Sequence, residues 1–98
     1  MKNVLVNAVL ERQVMRINYA PGWRTVEPHT IGYGSEGQIL LRAYQTEGAS
    51  ASGEPVNWKL FRLDQLDSVE QANMTFLEAR PGYRRGDSVM KGGIIAQL

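Results

Sequence analysis

The chain is cut into short alternating runs, and almost every cut carries a turn signal. "QVMRINY" sets Val14, Arg16 and Asn18 against Met15, Ile17 and Tyr19, the period of two that marks a half-buried strand. "APGW" follows, with Pro21 and Gly22 at the two centres of a type II turn. "RTVEPHTIGY" resumes as a strand. Pro28 inside it marks an edge or a bulge, because proline has no N–H to give a ladder. "GSEG" turns the chain again, "QILLRAYQT" is a third strand, "NWKLFRLD" a fourth and "LDSVEQANM" a fifth. Ahead of them, "NVLVNAVLER" places Leu5, Ala8, Val9 and Arg12 at helical spacing, with Asn3 as a cap.

One short N-terminal helix followed by five closely spaced strands predicts a mainly β fold, a small five-stranded antiparallel barrel rather than a parallel sheet. With 98 residues this is one domain with a modest core. That core is expected over about residues 5–73, with a turn-rich C-terminal extension over 74–98. "RPGYRR" repeats the device of "APGWR", but two short matches do not make an internal repeat.

Chemistry is narrowed mostly by what is missing. There is no cysteine, which removes disulfides, thiolate nucleophiles and cysteine zinc sites. His29 is the only histidine, a poor basis for a metal site and without an obvious serine or aspartate arrangement for catalysis. Glu27, Glu36, Glu47, Glu54, Asp64 and Asp67 show no acid–base pairing. No enzyme, metal or cofactor is therefore expected. No apolar run approaches the roughly 20 residues of a membrane span. "MKNVLVNAVLERQ" meets Asn7, Glu11 and Arg12 too early for a signal peptide, so the expectation is a cytoplasmic protein with no membrane role. The net charge is +1, and binding to nucleic acid would need local clustering of the basic residues.

Such clustering is available on the third and fourth strands. Leu40, Arg42 and Tyr44 share one face of the third, and Trp58, Leu60, Arg62 and Asp64 share one face of the fourth. Paired strands would bring Arg42 and Arg62 within reach of one another, with Arg24 of the second strand as a third member. Guanidiniums gathered in this way repel unless an anion or a carboxylate joins them, and their planar forks suit phosphate. Tyr44 and Trp58 offer stacking faces for a base. The competing reading neutralises Arg24 and Arg62 with Glu27 and Asp64. Between the two strands lies a Gly/Ser/Ala-rich loop, residues 48–57, read as a movable lid. Its "GASASGE" lacks the Lys-Ser/Thr ending of a phosphate-binding P-loop. In the tail, Arg80, Arg84, Arg85 and Lys91 surround Tyr83 with only Asp87 against them, a texture of nucleic-acid binding or of a solvated loop. "RGD" at 85–87 is chance.

The order "AVLERQVMRINY", "RTVEPHTIGY", "ILLRAYQ", "KLFRLDQL" resembles the WYL-domain family over about residues 5–70. The most specific pieces are Arg24-x-Val26-x-Pro28, the strand ending Ala43-Tyr44, and Phe61-Arg62-Leu63-Asp64. Two positions depart from the family pattern. Ile39-Leu40-Leu41 stands where the name-giving Trp-Tyr-Leu is found, and Gln65 where an arginine often follows the aspartate. The resemblance implies an Sm-like barrel and a non-catalytic ligand sensor whose proposed ligands include nucleic acid. Its usual partner is a helix-turn-helix transcription regulator, or in some cases a CRISPR effector or phage-defence system. A stand-alone module of this kind would bind an anion through Arg24, Arg42 and Arg62, with Tyr44 and Trp58 stacking. The alternative is a self-assembly or protein-interaction module, a homo-oligomer formed through an open strand edge.

Overall fold

The computed structural model describes residues 1–98. Helix α1 (Lys2–Leu10) turns Leu5, Ala8 and Val9 inward, the stripe that helical spacing predicts. Met1 rather than Asn3 occupies the cap position, and no side chain caps the helix. Arg12 takes a positive φ of 51° and lies beyond the helix, where the chain reverses into β1 (Gln13–Tyr19).

β1 and β2 (Gly22–Tyr33) form a hairpin in which Tyr19 faces Gly22. The loop is therefore Ala20-Pro21, joined by a cis peptide bond, and Gly22 already belongs to the strand. The expected type II turn on Pro21 and Gly22 is replaced by one with proline at the second central position, where the cis form belongs. β3 (Ile39–Gly48) runs antiparallel along β2, and β4 (Asn57–Arg62) along β3. A 3-10 turn, Leu63–Gln65, leads to β5 (Ser68–Thr75), which returns to pair with β1.

The strand order is β4-β3-β2-β1-β5, and a sixth strand, β6 (Gly93–Gln97), also pairs with β2. The expected closed five-stranded barrel is thus corrected to an open, six-stranded antiparallel sheet. Its end strands β4 and β5 share no ladder. The sixth strand finds a place because β2 is long: its first half, Gly22–Val26, is taken by β1, and the second half, Thr30–Tyr33, is left for β6. Gly32 permits this approach, since a Cβ there would lie 2.6 Å from the Gly93 carbonyl oxygen.

Pro28 does mark an irregularity, not an edge. β2 is central, and its register against β3 shifts between Pro28 and Thr30 and again between Thr25 and Val26. The core lies between α1 and one face of the sheet, where Leu5, Val9, Ile17, Ile31, Leu41 and Phe61 are buried. Each such aliphatic or aromatic side chain contributes about 1.5–3 kcal/mol relative to exposure. Ala96 of β6 belongs to the same core, and Phe76 and Met90 are buried too, so the segment over 74–98 contributes side chains to the interior. No helix is long and apolar enough to cross a membrane.

Candidate anion-binding face

Pairing of β3 with β4 sets Tyr44 opposite Trp58, Arg42 opposite Leu60 and Leu40 opposite Arg62. Cross-strand partners share a face, so Arg42, Tyr44 and Trp58 stand on the outer side of the sheet, away from Leu41, Ala43 and Phe61. Residues 76–92 fold over this outer face, and His29 is the reason they dock there. The register shift beside it brings its ring out among Trp58, Phe76 and Tyr83, with centroids 4.7, 5.3 and 5.3 Å away. His29 Nε2 accepts the Arg80 backbone N–H at 3.1 Å. With Nε2 accepting, Nδ1 carries the proton and donates to the Glu27 carbonyl oxygen at 2.7 Å. Both nitrogens are committed. Burial lowers the His29 pKa, opposed by the Glu27 carbonyl and carboxylate and reinforced by the Arg80 charge.

Arg80 continues the clasp. Its Nε and Nη2 donate to Glu27 Oε1 and Oε2 at 2.7 and 3.0 Å, the two-pronged geometry that suits a carboxylate. The guanidinium also lies 4.8 Å above the Tyr44 ring. Trp58 Nε1 donates to the Pro81 carbonyl at 3.1 Å, and Tyr83 Oη to the Leu98 carbonyl at 2.9 Å. Further along, Arg42 Nε donates to Asp87 Oδ2 at 2.7 Å. Burial alone would raise the Asp87 pKa, but the hydrogen bonds from Arg42 and the Val89 N–H outweigh it and hold the carboxyl below its ordinary value.

Between strand and covering segment a cleft of about 380 Å³ remains, lined by Arg42, Trp58, Gly82, Tyr83, Arg84, Asp87 and Ser88. Trp58 and Tyr83 present rings 25° from parallel with centroids 6.4 Å apart. Arg84 is exposed and takes part in none of the four ion pairs of the molecule. The cleft therefore offers aromatic faces, one cation balanced by Asp87, one unbalanced cation and a serine hydroxyl. That chemistry suits an anion carrying a flat ring. No group of three or more His, Asp or Glu side chains is arranged to hold a metal ion.

Of the five residues singled out in the sequence, the structure gathers Arg42, Tyr44 and Trp58. Arg62 sits at the end of β4, exposed, with Nη2 on Asp64 Oδ2 at 2.8 Å. Its carboxylate partner raises its pKa. Arg24 faces the other way. It pairs across from Ile17 and is only 4% exposed on the core side, so it does not join Arg42. Glu27, the carboxylate expected for Arg24, holds Arg80 instead. The basic tail cluster was visible in the sequence, but its docking against Arg42 was not. The one available sign was Asp87, a lone acid among arginines.

Comparison of the chain with protein-family models, curated proteins and solved structures finds no match.

Proposed function

We propose that this chain is a non-catalytic regulatory or sensor module of the WYL kind that binds an anionic ligand, nucleic acid or a nucleotide, and controls a transcription or defence-system partner. The observation that carries the reading is the cleft beneath residues 76–92, where Trp58 and Tyr83 flank Arg42 and the unpaired Arg84. Aromatic faces beside a free guanidinium accept a base and its phosphate without demanding a sequence. β4 and β5, the two ends of the strand path, are joined through residues 63–67 alone and share no ladder.

The test is a titration of the protein with a short single-stranded oligonucleotide, read by tryptophan fluorescence at several salt concentrations. Binding should weaken as salt rises, because phosphate contacts release counterions. Arg84→Ala should lose about tenfold in affinity with no change in melting temperature. Unchanged affinity in that variant would overturn the assignment of the cleft.

A second reading, a self-assembly or protein-interaction module, is favoured by a separate observation. β5 has an unpaired edge, and Met74 and Leu77 near it are 61% and 91% exposed. Open edges beside apolar side chains invite a second chain. Sedimentation at tens of micromolar tests it: a homo-oligomer that Leu77→Glu dissolves supports this reading, and a monomer rejects it.

A further inference from the structure

Arg24 is the most deeply buried cation of the molecule, and no carboxylate neutralises it. Its Nε donates to the Tyr19 carbonyl at 3.1 Å, Nη2 to the Ala20 carbonyl at 2.7 Å and Nη1 to Gln45 Oε1 at 3.3 Å. These three acceptors are neutral, so they satisfy hydrogen bonds and leave the charge. The guanidinium also lies 5.3 and 5.4 Å from the Tyr19 and Phe61 ring centroids, which softens the field without cancelling it. A charge so buried is costly unless something of opposite sign completes it.

A second cation stands at the same place. Lys59 is opposite Ala43 on the core-facing side of β4, and it takes part in none of the four ion pairs either. Its Nζ donates to Ser50 Oγ at 3.1 Å and to Ser52 Oγ at 3.0 Å, both in the loop over 48–57. Arg24, Lys59, Ser52, Tyr19 and Phe61 line one cavity of about 200 Å³. At roughly 30 Å³ per water that is room for a tetrahedral oxyanion and part of whatever carries it.

The loop is built to sit there. Gly48 has φ 107°, and a Cβ on it would collide with the Trp23 carbonyl oxygen and come within 2.8 Å of Arg24 Cα. The Ala49 N–H donates to that Trp23 carbonyl at 2.9 Å. Gln45 joins the two parts, accepting from Arg24 and donating through Nε2 to the Ala49 carbonyl at 2.7 Å. The loop start, the buried guanidinium and the lysine are thus one hydrogen-bonded unit.

We propose that this cavity is a phosphoryl-binding site, distinct from the cleft under residues 76–92 and on the opposite side of the sheet. Arg24 supplies fixed charge at its floor, and Lys59 supplies a second cation at its wall. Ser52, which lines the cavity, turns its hydroxyl from the lysine toward the bound oxygens. No acidic side chain lines the cavity, so nothing within it opposes a dianion.

The test is a two-dimensional amide NMR titration of the whole chain with inorganic phosphate and, separately, with methyl phosphate, ionic strength being held constant with chloride. The amides of Ala20, Ala51, Ser52 and Lys59 should shift and saturate in both arms. Tighter binding of methyl phosphate assigns the cavity to a phosphomonoester and tighter binding of inorganic phosphate to the free ion; either supports the site. Lys59→Met should weaken the interaction about tenfold or more, with its folded spectrum otherwise retained, and Arg84→Ala should leave it unchanged. Arg24→Met removes the floor, and Lys59→Met keeps the proposal testable if that variant unfolds. Shifts that never saturate, or a Lys59→Met variant that binds like the parent, would overturn the proposal.

Discussion

The two sides of β3 and β4 handle positive charge in opposite ways. On the outer side, under residues 76–92, Arg80 is clasped by Glu27 and Arg42 by Asp87. On the inner side, under the loop over 48–57, Arg24 and Lys59 find only carbonyls, an amide and hydroxyls. The same residue type is neutralised where a carboxylate meets it and keeps its charge where only neutral acceptors do. The proposed phosphoryl site therefore rests on unpaired cations in a folded cavity, not on the number of arginines on a strand.

The largest expected effect tests how firmly the inner side is built. Phe61 is buried in the core, meets Tyr19 edge-on at 4.9 Å between centroids and lies beside Arg24. Phe61→Ala should cost about 3–5 kcal/mol, the usual range for an aromatic removed from a core. For a domain of this size, each ~1 kcal/mol lowers the melting temperature by roughly 4–8 °C. A small loss in denaturant unfolding would show that the inner cavity is soft, unlike the outer clasp.

Glu27→Gln strikes the outer side. The Glu27 side chain is 9% exposed while that of Arg80 is 41% exposed, so the pair is screened on one flank only. The expected loss is about 1–2 kcal/mol, discounted from that of a fully buried pair. It should come with faster amide exchange across residues 76–92, because Glu27 and His29 together hold that segment at Arg80.

Acid should loosen the same clasp. The folded state lowers the His29 pKa, so the unfolded chain binds protons that the folded one refuses. Stability from His29 is fully present above the ordinary histidine value of about 6.5 and declines as pH falls below it. Asp87 also has a lowered pKa, and its contribution fades only near or below the ordinary aspartate value of about 3.9. His29→Phe keeps an aromatic ring in place but removes the titrating nitrogens. A melting-temperature profile from pH 7.5 to 5 should be flatter in that variant than in the parent, and equal slopes would place the acid sensitivity elsewhere.

Sequence periodicity carried the helix and the first five strands, because Met15, Ile17 and Tyr19 are interleaved with Arg16 and Asn18, and Leu41 and Ala43 flank Arg42, as alternation along a strand requires. It failed on β6 because "GIIAQ" is five residues long and sits behind a run of turns, with nothing local to mark it. It also failed on Arg24. A register shift moves a strand's side chains to the other face, and β2 and β3 contain two such shifts. Arg42 and Tyr44 therefore share the outer face with Glu27 and Thr30, while Arg24 and Val26 point to the core. The clasp of Arg80 on Glu27 joins residues 53 positions apart, a distance at which spacing says nothing about contact.

Arg42→Ala sharpens the contrast within the outer side. The Arg42–Asp87 pair has side chains 28% and 14% exposed, so its loss leaves a half-buried carboxylate with the Val89 N–H as its remaining donor. About 1 kcal/mol should be lost, and NMR titration of Asp87 should show its pKa rising toward the usual range. A stability gain would mean instead that crowded guanidiniums, rather than Asp87, set the local balance.

The smallest effect belongs to Arg62, and it decides whether Arg62 joins Arg84 in binding or stands apart from the cleft. Both Arg62 and Asp64 are about half exposed at the edge of the sheet, two residues apart in sequence, so the pair forms without help from tertiary packing and is screened by solvent. Arg62→Ala should leave the melting temperature within experimental error, at low and at high salt. It should also leave oligonucleotide affinity unchanged, since Arg62 does not line the cleft with Trp58 and Tyr83. A loss of affinity would extend the binding surface from the cleft along β4 to its exposed end. The arginine that sequence pattern placed beside Arg42 would then act there despite its own carboxylate.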